Sequence, residues 1–186
     1  MSAQGTGVVE LTDTHCDALL SFFADLPEGD RTFIRDDVTD PDVVRGWAGG
    51  GTPGVRRWVG VDDDGRVVGY VAVLRLAGWS DHVGEVRLVV SPAARGTGLG
   101  RQLARHAMVR SLEAGLTKLV VEVVAEQAAA LALFTGLGFS GEALLVDHIR
   151  DRDGQLRDLM LLAHHVADTW AGMSAVGLAE ALGEPS

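Results

Sequence analysis

Apolar and polar residues alternate over residues 56–61 and again over 67–76, with Asp62-Asp63-Asp64-Gly65 between the two runs. A period of two marks strands with one buried face. The closing Asp-Gly supplies the positive φ angles of a tight turn, so the spacing predicts a β-hairpin. Residues 83–90 and 118–124 read as two further apolar strands. Between them, residues 98–114 carry Leu99, Leu103, Ala107 and Leu112 along one face of a helix that Gly115 ends. Strand, helix and strand in that order imply a parallel crossover. Residues 128–137 read as a short helix closed by Gly138, followed by two strands, 140–150 and 155–163, around Asp153-Gly154.

The first fifty residues are less regular. Residues 8–11 form a short strand, and a helix starts at Thr12 or Asp13 with Ala18, Leu19, Phe22 and Phe23 on its apolar face. Residues 26–39 show no period. Asp40-Pro41 opens another helix, which ends near Trp47 because the glycine run at 49–51 with Thr52-Pro53-Gly54 holds no regular structure. Past the last strand, Val166, Trp170, Met173, Val176 and Leu178 have helical spacing in a segment weakened by Gly and Ser. This tail is expected to pack on its own domain, or else on a second copy in a homodimer. The pattern as a whole is α/β, a mixed sheet with helices on both faces.

Composition narrows the picture. A chain of 186 residues suits one core, giving a domain over 1–165 and a helical extension over 166–186. No apolar run approaches the ~20 residues of a membrane span, and the first residues lack a secretory signal, so a cytoplasmic protein is expected. The formal charge of −10, from 26 acidic and 16 basic residues, disfavours nucleic acid and anionic lipid as partners. It suits a cationic substrate, although acidity for solubility explains it as well. The six histidines and the lone Cys16 form no ligand pattern, so no metal is expected.

The candidate chemistry begins at Arg95-Gly96-Thr97-Gly98-Leu99-Gly100, which follows an apolar strand and opens a helix. A helix start carries unpaired amides and a partial positive charge, which phosphate oxygens satisfy. Glycines let the backbone come close to such a ligand. A dinucleotide-binding loop fails at Arg101, where the last glycine belongs, and a Walker loop fails for want of Gly-Lys-Ser/Thr.

Taken in order, Glu85-Val86-Arg87-Leu88-Val89-Val90, Ser91-Pro92, the 95–100 loop and Ala130-Leu131-Ala132-Leu133-Phe134-Thr135-Gly136-Leu137-Gly138-Phe139 resemble the GNAT superfamily of acyl-CoA-dependent N-acetyltransferases. The resemblance implies a mixed sheet of about seven strands that parts between the parallel fourth and fifth, with acetyl-CoA as cosubstrate. It implies that Leu88, Val89 and Val90 offer backbone groups to pantetheine, and that Arg95, Gly96, Thr97, Gly98, Leu99 and Gly100 cradle the pyrophosphate. Arg101, and Arg105 a turn on, are within the cofactor's reach. Gln127 stands where the family commonly has Asn, and Phe134 where it often has a Tyr. The implied reaction is acetyl transfer to a primary amine of a small molecule or protein, by direct attack in a ternary complex.

Such a reaction needs a neutral amine, whereas alkylammonium groups have pKa values of ~10.4. Glu85 and Glu122 are the candidate general bases, with His82 as a third group, although Glu85 and Arg87 share a strand face that also suits an ion pair. Phe134 cannot protonate a departing thiolate, but a thiol pKa of ~8.5 makes that anion a tolerable leaving group. The alternative is an acyl-CoA-binding module without turnover. The acceptor side is expected to be built from residues 26–55 and from the loops near the last hairpin, with Phe33, Trp47 and Trp79 as candidate walls.

Overall fold

The computed structural model describes residues 7–31, 34–48 and 52–165. Phe33, the glycine run and the expected C-terminal helix lie outside those residues. In chain order the elements are β1 (Gly7–Glu10), α1 (Cys16–Asp25), α2 (Glu28–Arg31), α3 (Pro41–Ala48), β2 (Val55–Val61) and β3 (Val67–Arg75). There follow β4 (Val83–Val90), α4 (Leu99–Glu113), β5 (Lys118–Val124), α5 (Ala128–Thr135), β6 (Ser140–Arg150) and β7 (Leu156–His165).

All seven strands form one sheet in the order β1-β2-β3-β4-β5-β7-β6. The β4–β5 pair is parallel and every other pairing is antiparallel, as the crossover pattern predicts. The hairpin turn is held by Asp62, whose carboxylate accepts the amides of Asp64 (3.0 Å) and Arg66 (2.9 Å). Two differences arise near the N-terminus. The helix expected from Thr12 begins as a 3₁₀ turn, Asp13–His15, with the Thr12 hydroxyl 2.9 Å from His15 Nδ1. The stretch read as irregular contains α2, whose four residues are too few to display a 3.6 period.

Strand alternation divides the core between two faces. On one, α4 and α5 cover Val71, Val73, Val86, Leu119, Val121 and Val123; on the other, α1 and α3 cover Val59, Tyr70 and Ala72. The buried stripe of α4 is Leu99, Leu103, Ala104, Ala107, Met108 and Ser111. Leu112, expected on this face, is only half-buried, because the i+4 ladder from Leu103 and Ala107 lands on Ser111. Ser111 meets its polar need by donating to the Ala107 carbonyl (2.7 Å). The helix lies close on β3: a Cβ at Gly69 would stand 2.6 Å from Leu103 Cδ1, so a larger residue there requires the leucine side chains of α4 to shift. Among the described residues no helix is long and apolar enough to cross a membrane.

Candidate active site

The sheet parts where its one parallel pair lies. β4 pairs with β3 along Gly84 to Val90, but with β5 only at Val83, Gly84 and Glu85, opposite Lys118, Leu119 and Val120. Beyond Glu85 the two strands diverge. Residues 86–90 of β4 and 121–124 of β5 therefore face each other without a ladder between them. Leu88 and Val90 pack toward the α4 face and Val89 toward the α1–α3 face, so their side chains are engaged and their backbones border the opening.

The opening leads to the glycine loop. Ser91 and Arg95 are extended on either side of a 3₁₀ turn, Pro92–Ala94. Gly96 (φ +76°) and Gly98 (φ +92°) then take left-handed conformations that a Cβ disfavours. Nothing stands within 4 Å of a Cβ built on either, so the loop's outer side is open. No carbonyl among the described residues accepts the amides of Gly96, Thr97, Gly98, Leu99, Gly100 or Arg101, whereas that of Gln102 closes the first helical bond to Gly98 (3.0 Å). Thr97 donates its hydroxyl to Ala94 (2.7 Å), and the Leu99 side chain is buried in the core, so each turns only its backbone to the loop. Amides grouped in this way at a helix start suit an anion.

The neighbouring residues divide by environment. Arg95 donates through Nε to the Val90 carbonyl (3.3 Å) and through Nη2 to Asp30 (2.6 Å). Arg101 donates to the Gly136 carbonyl (2.7 Å), tying α4 to the end of α5, and Arg105 is exposed. Gln127 precedes α5, and its side chain makes no cap there. Phe134 is 3% exposed, its ring 5.2 Å from that of Phe139. Its ring therefore belongs to the core, and anything it contributes to a ligand comes from its backbone.

Glu85 and Glu122 are both paired to arginines. Arg87 donates through Nε to Glu85 (2.7 Å) and through Nη1 to Asp36 (2.7 Å), while Arg35 pairs with Glu122. Burial disfavours the Arg87 charge, but the bond from Glu85 and the charges of Glu85 and Asp36 outweigh it and hold its pKa above the ordinary guanidinium value. Asp30, Arg35 and Asp36 were not singled out by the sequence, because they lie in its aperiodic stretch and their partners are far along the chain. Beside them Tyr70 accepts a bond from Arg57 (3.2 Å), and burial, opposed by Arg57, pushes its phenol up to about 12. Trp47 stacks on Tyr70, while Trp79 is 97% exposed and lines nothing. His82 is an exposed residue whose carbonyl accepts Thr117 (2.9 Å).

A sheet parted at its one parallel pair, with a glycine loop leading from it into α4, defines an α/β domain with a cleft between its central strands. The model of the acetyltransferase (GNAT) family matches residues 19–139, and the chain belongs to that family. It is 34% identical over 103 residues to the uncharacterized N-acetyltransferase YjgM of Escherichia coli, covering 55% of this chain and 61% of that protein. Against streptothricin acetyltransferase of Streptomyces lavendulae it is 32% identical over 123 residues, covering 60% and 65%. The chain thus spans less than two thirds of these curated relatives. Among solved structures it resembles yncA from Salmonella typhimurium with its cofactor acetyl-CoA, at a TM-score of 0.75, 21% identity and coverage of 87% and 94%. It also resembles the ribosomal-protein-alanine N-acetyltransferase of Brucella melitensis, at 0.76, 23%, 86% and 99%. At such identities these two likenesses concern the fold.

Proposed function

We propose that the protein transfers an acetyl group from acetyl-CoA to a primary amine of a small molecule or protein, by direct attack in a ternary complex. The observation that carries this is that the strand bordering the β4–β5 opening runs directly into the glycine loop and helix start of residues 96–101. Acetyl-CoA supplies the acetyl group as a thioester. The amides of residues 96–101, with Arg95 and Arg101 beside them, bind its pyrophosphate, and the backbone of Leu88, Val89 and Val90 binds the pantetheine amides. Gln127 reaches the opening from the start of α5.

The acceptor enters on the α1–α3 face. There Glu85 and Glu122 take up the ammonium proton, directly or through water, so that the amine attacks in its neutral form. In the free protein each is paired, Glu85 with Arg87 and Glu122 with Arg35. With Phe134 buried, the departing thiolate takes its proton from water. A cytoplasmic location and an absence of nucleic-acid partners accompany this reading, as does a homodimer.

The test is free thiol release from acetyl-CoA on addition of a panel of primary amines. Release with at least one amine is expected. Coenzyme A binding with no release across the panel would show a binding module instead.

A further inference from the structure

Four ion pairs tie one short connection to the rim of the opening. Glu28 of α2 receives Arg152 from the β6–β7 turn (3.1 Å), and Asp30 receives Arg95 (2.6 Å). Further along, Arg35 pairs with Glu122, and Asp36 receives Arg87 (2.7 Å). One of these partners, Arg95, leads into the glycine loop. The Asp30 carboxylate, 28% exposed, therefore occupies the guanidinium of the residue that directly precedes the loop amides 96–101. In a chain of formal charge −10, this carboxylate repels a polyanion and also competes with it for Arg95.

We infer that Asp30 is a positioning residue that holds Arg95 until a pyrophosphate takes its place: binding moves the guanidinium from carboxylate to phosphate and leaves α2 tied through Glu28 alone. The inference rests on the acetyl-CoA reading above. A guanidinium fork pairs with either oxyanion in the same geometry, so the exchange needs only a side-chain rotation. Arg95 is half-exposed, which makes the existing pair weak enough to give way. Arg35 and Asp36 lie a few residues further along the chain, so losing the Asp30 tie leaves the acceptor-side rim less constrained when the cosubstrate is in place. Occupancy of one half of the site thereby prepares the other.

The test measures coenzyme A binding to the full chain by calorimetry. Asp30→Asn removes the competitor and is expected to tighten binding about three- to tenfold. Asp30→Glu keeps the charge and is expected to match wild type. In an Arg95→Ala background, Asp30→Asn is expected to lose most of its effect. Hydrogen exchange supplies a readout that a structural role would not move. The amides of Asp30 and Arg31, bonded to the Pro27 carbonyl at 3.0 and 3.1 Å, should exchange faster with coenzyme A bound, although ligands ordinarily protect. Unchanged or weaker binding by Asp30→Asn, with wild type binding normally, would overturn the inference alone. Failure of wild type to bind coenzyme A would overturn the acetyl-CoA reading and this inference with it.

Discussion

Gly98 sits at φ +92° with its outer side open, at the N-cap of α4. Alanine there meets a left-handed penalty of about 1–2 kcal/mol. Gly98→Ala is expected to lower the melting temperature and, where the loop relaxes by turning the amide, to weaken acetyl-CoA binding by roughly tenfold. Glu85 and Glu122 make a sharper pair. Glu85→Gln and Glu122→Gln keep shape and remove a proton acceptor, so the one that serves as base should lose about 10² or more in kcat, with a smaller change in KM for acetyl-CoA. Steady-state kinetics of both variants separates base from ion-pair partner. Tyr70 gives a pH signature. Its folded pKa of about 12 exceeds the ordinary 10.0, so between these values the unfolded chain has lost a proton that the folded chain retains. Stability contributed by the neutral buried phenol is full below pH 10 and is lost as pH rises toward 12, by about 2–3 kcal/mol. Tyr70→Phe should flatten that part of the alkaline decline, measured from denaturant midpoints at a series of pH values.

At the scale of elements, β4, β5 and the hairpin were legible because each strand's alternation is enforced by burial on a helix-covered face. The α4 helix was legible from its apolar stripe and from the glycines that bound it. Its close seat on β3 was not, since Gly69 reads in sequence as a weak point in a strand, whereas in the structure it is the hollow that receives Leu103. Gly69→Ala is expected to cost about 1–3 kcal/mol through overpacking, seen as a lower melting temperature with the fold retained. The candidate site was half legible. The part of it assigned to the cofactor lies mostly in one run, 85–101, with local backbone signals, and Gln127 lies apart from it. Its acceptor side is assembled from residues 51 and 87 positions apart, Asp36 with Arg87 and Arg35 with Glu122. No local pattern encodes such pairs, and the four residues of α2 that carry Asp30 leave no periodic trace.

At the scale of the molecule, β1–β4 and β5–β7 meet through three paired residues and through the helices packed across them. A ligand seated in the opening binds the folded state only. At a concentration about 100 times its dissociation constant, acetyl-CoA should add ~2.7 kcal/mol of stability. For a domain of this size that is a rise of about 5–11 °C in melting temperature by scanning fluorimetry. The bound ligand should also slow amide exchange along residues 86–90, whose backbone otherwise borders the gap.

The short β4–β5 pairing also alters what kind of surface the free protein presents to its neighbours. An ordinary open sheet has two outer edges, here β1 and β6, and this one has two more facing inward, along residues 86–90 and 121–124. Both are rich in valine, which is the composition that templates intermolecular strand addition when an edge is left bare. On the proposed reading, cosubstrate in the gap would cover both of these edges. Kept warm and ligand-free, the protein should scatter light sooner than the same protein stored with coenzyme A.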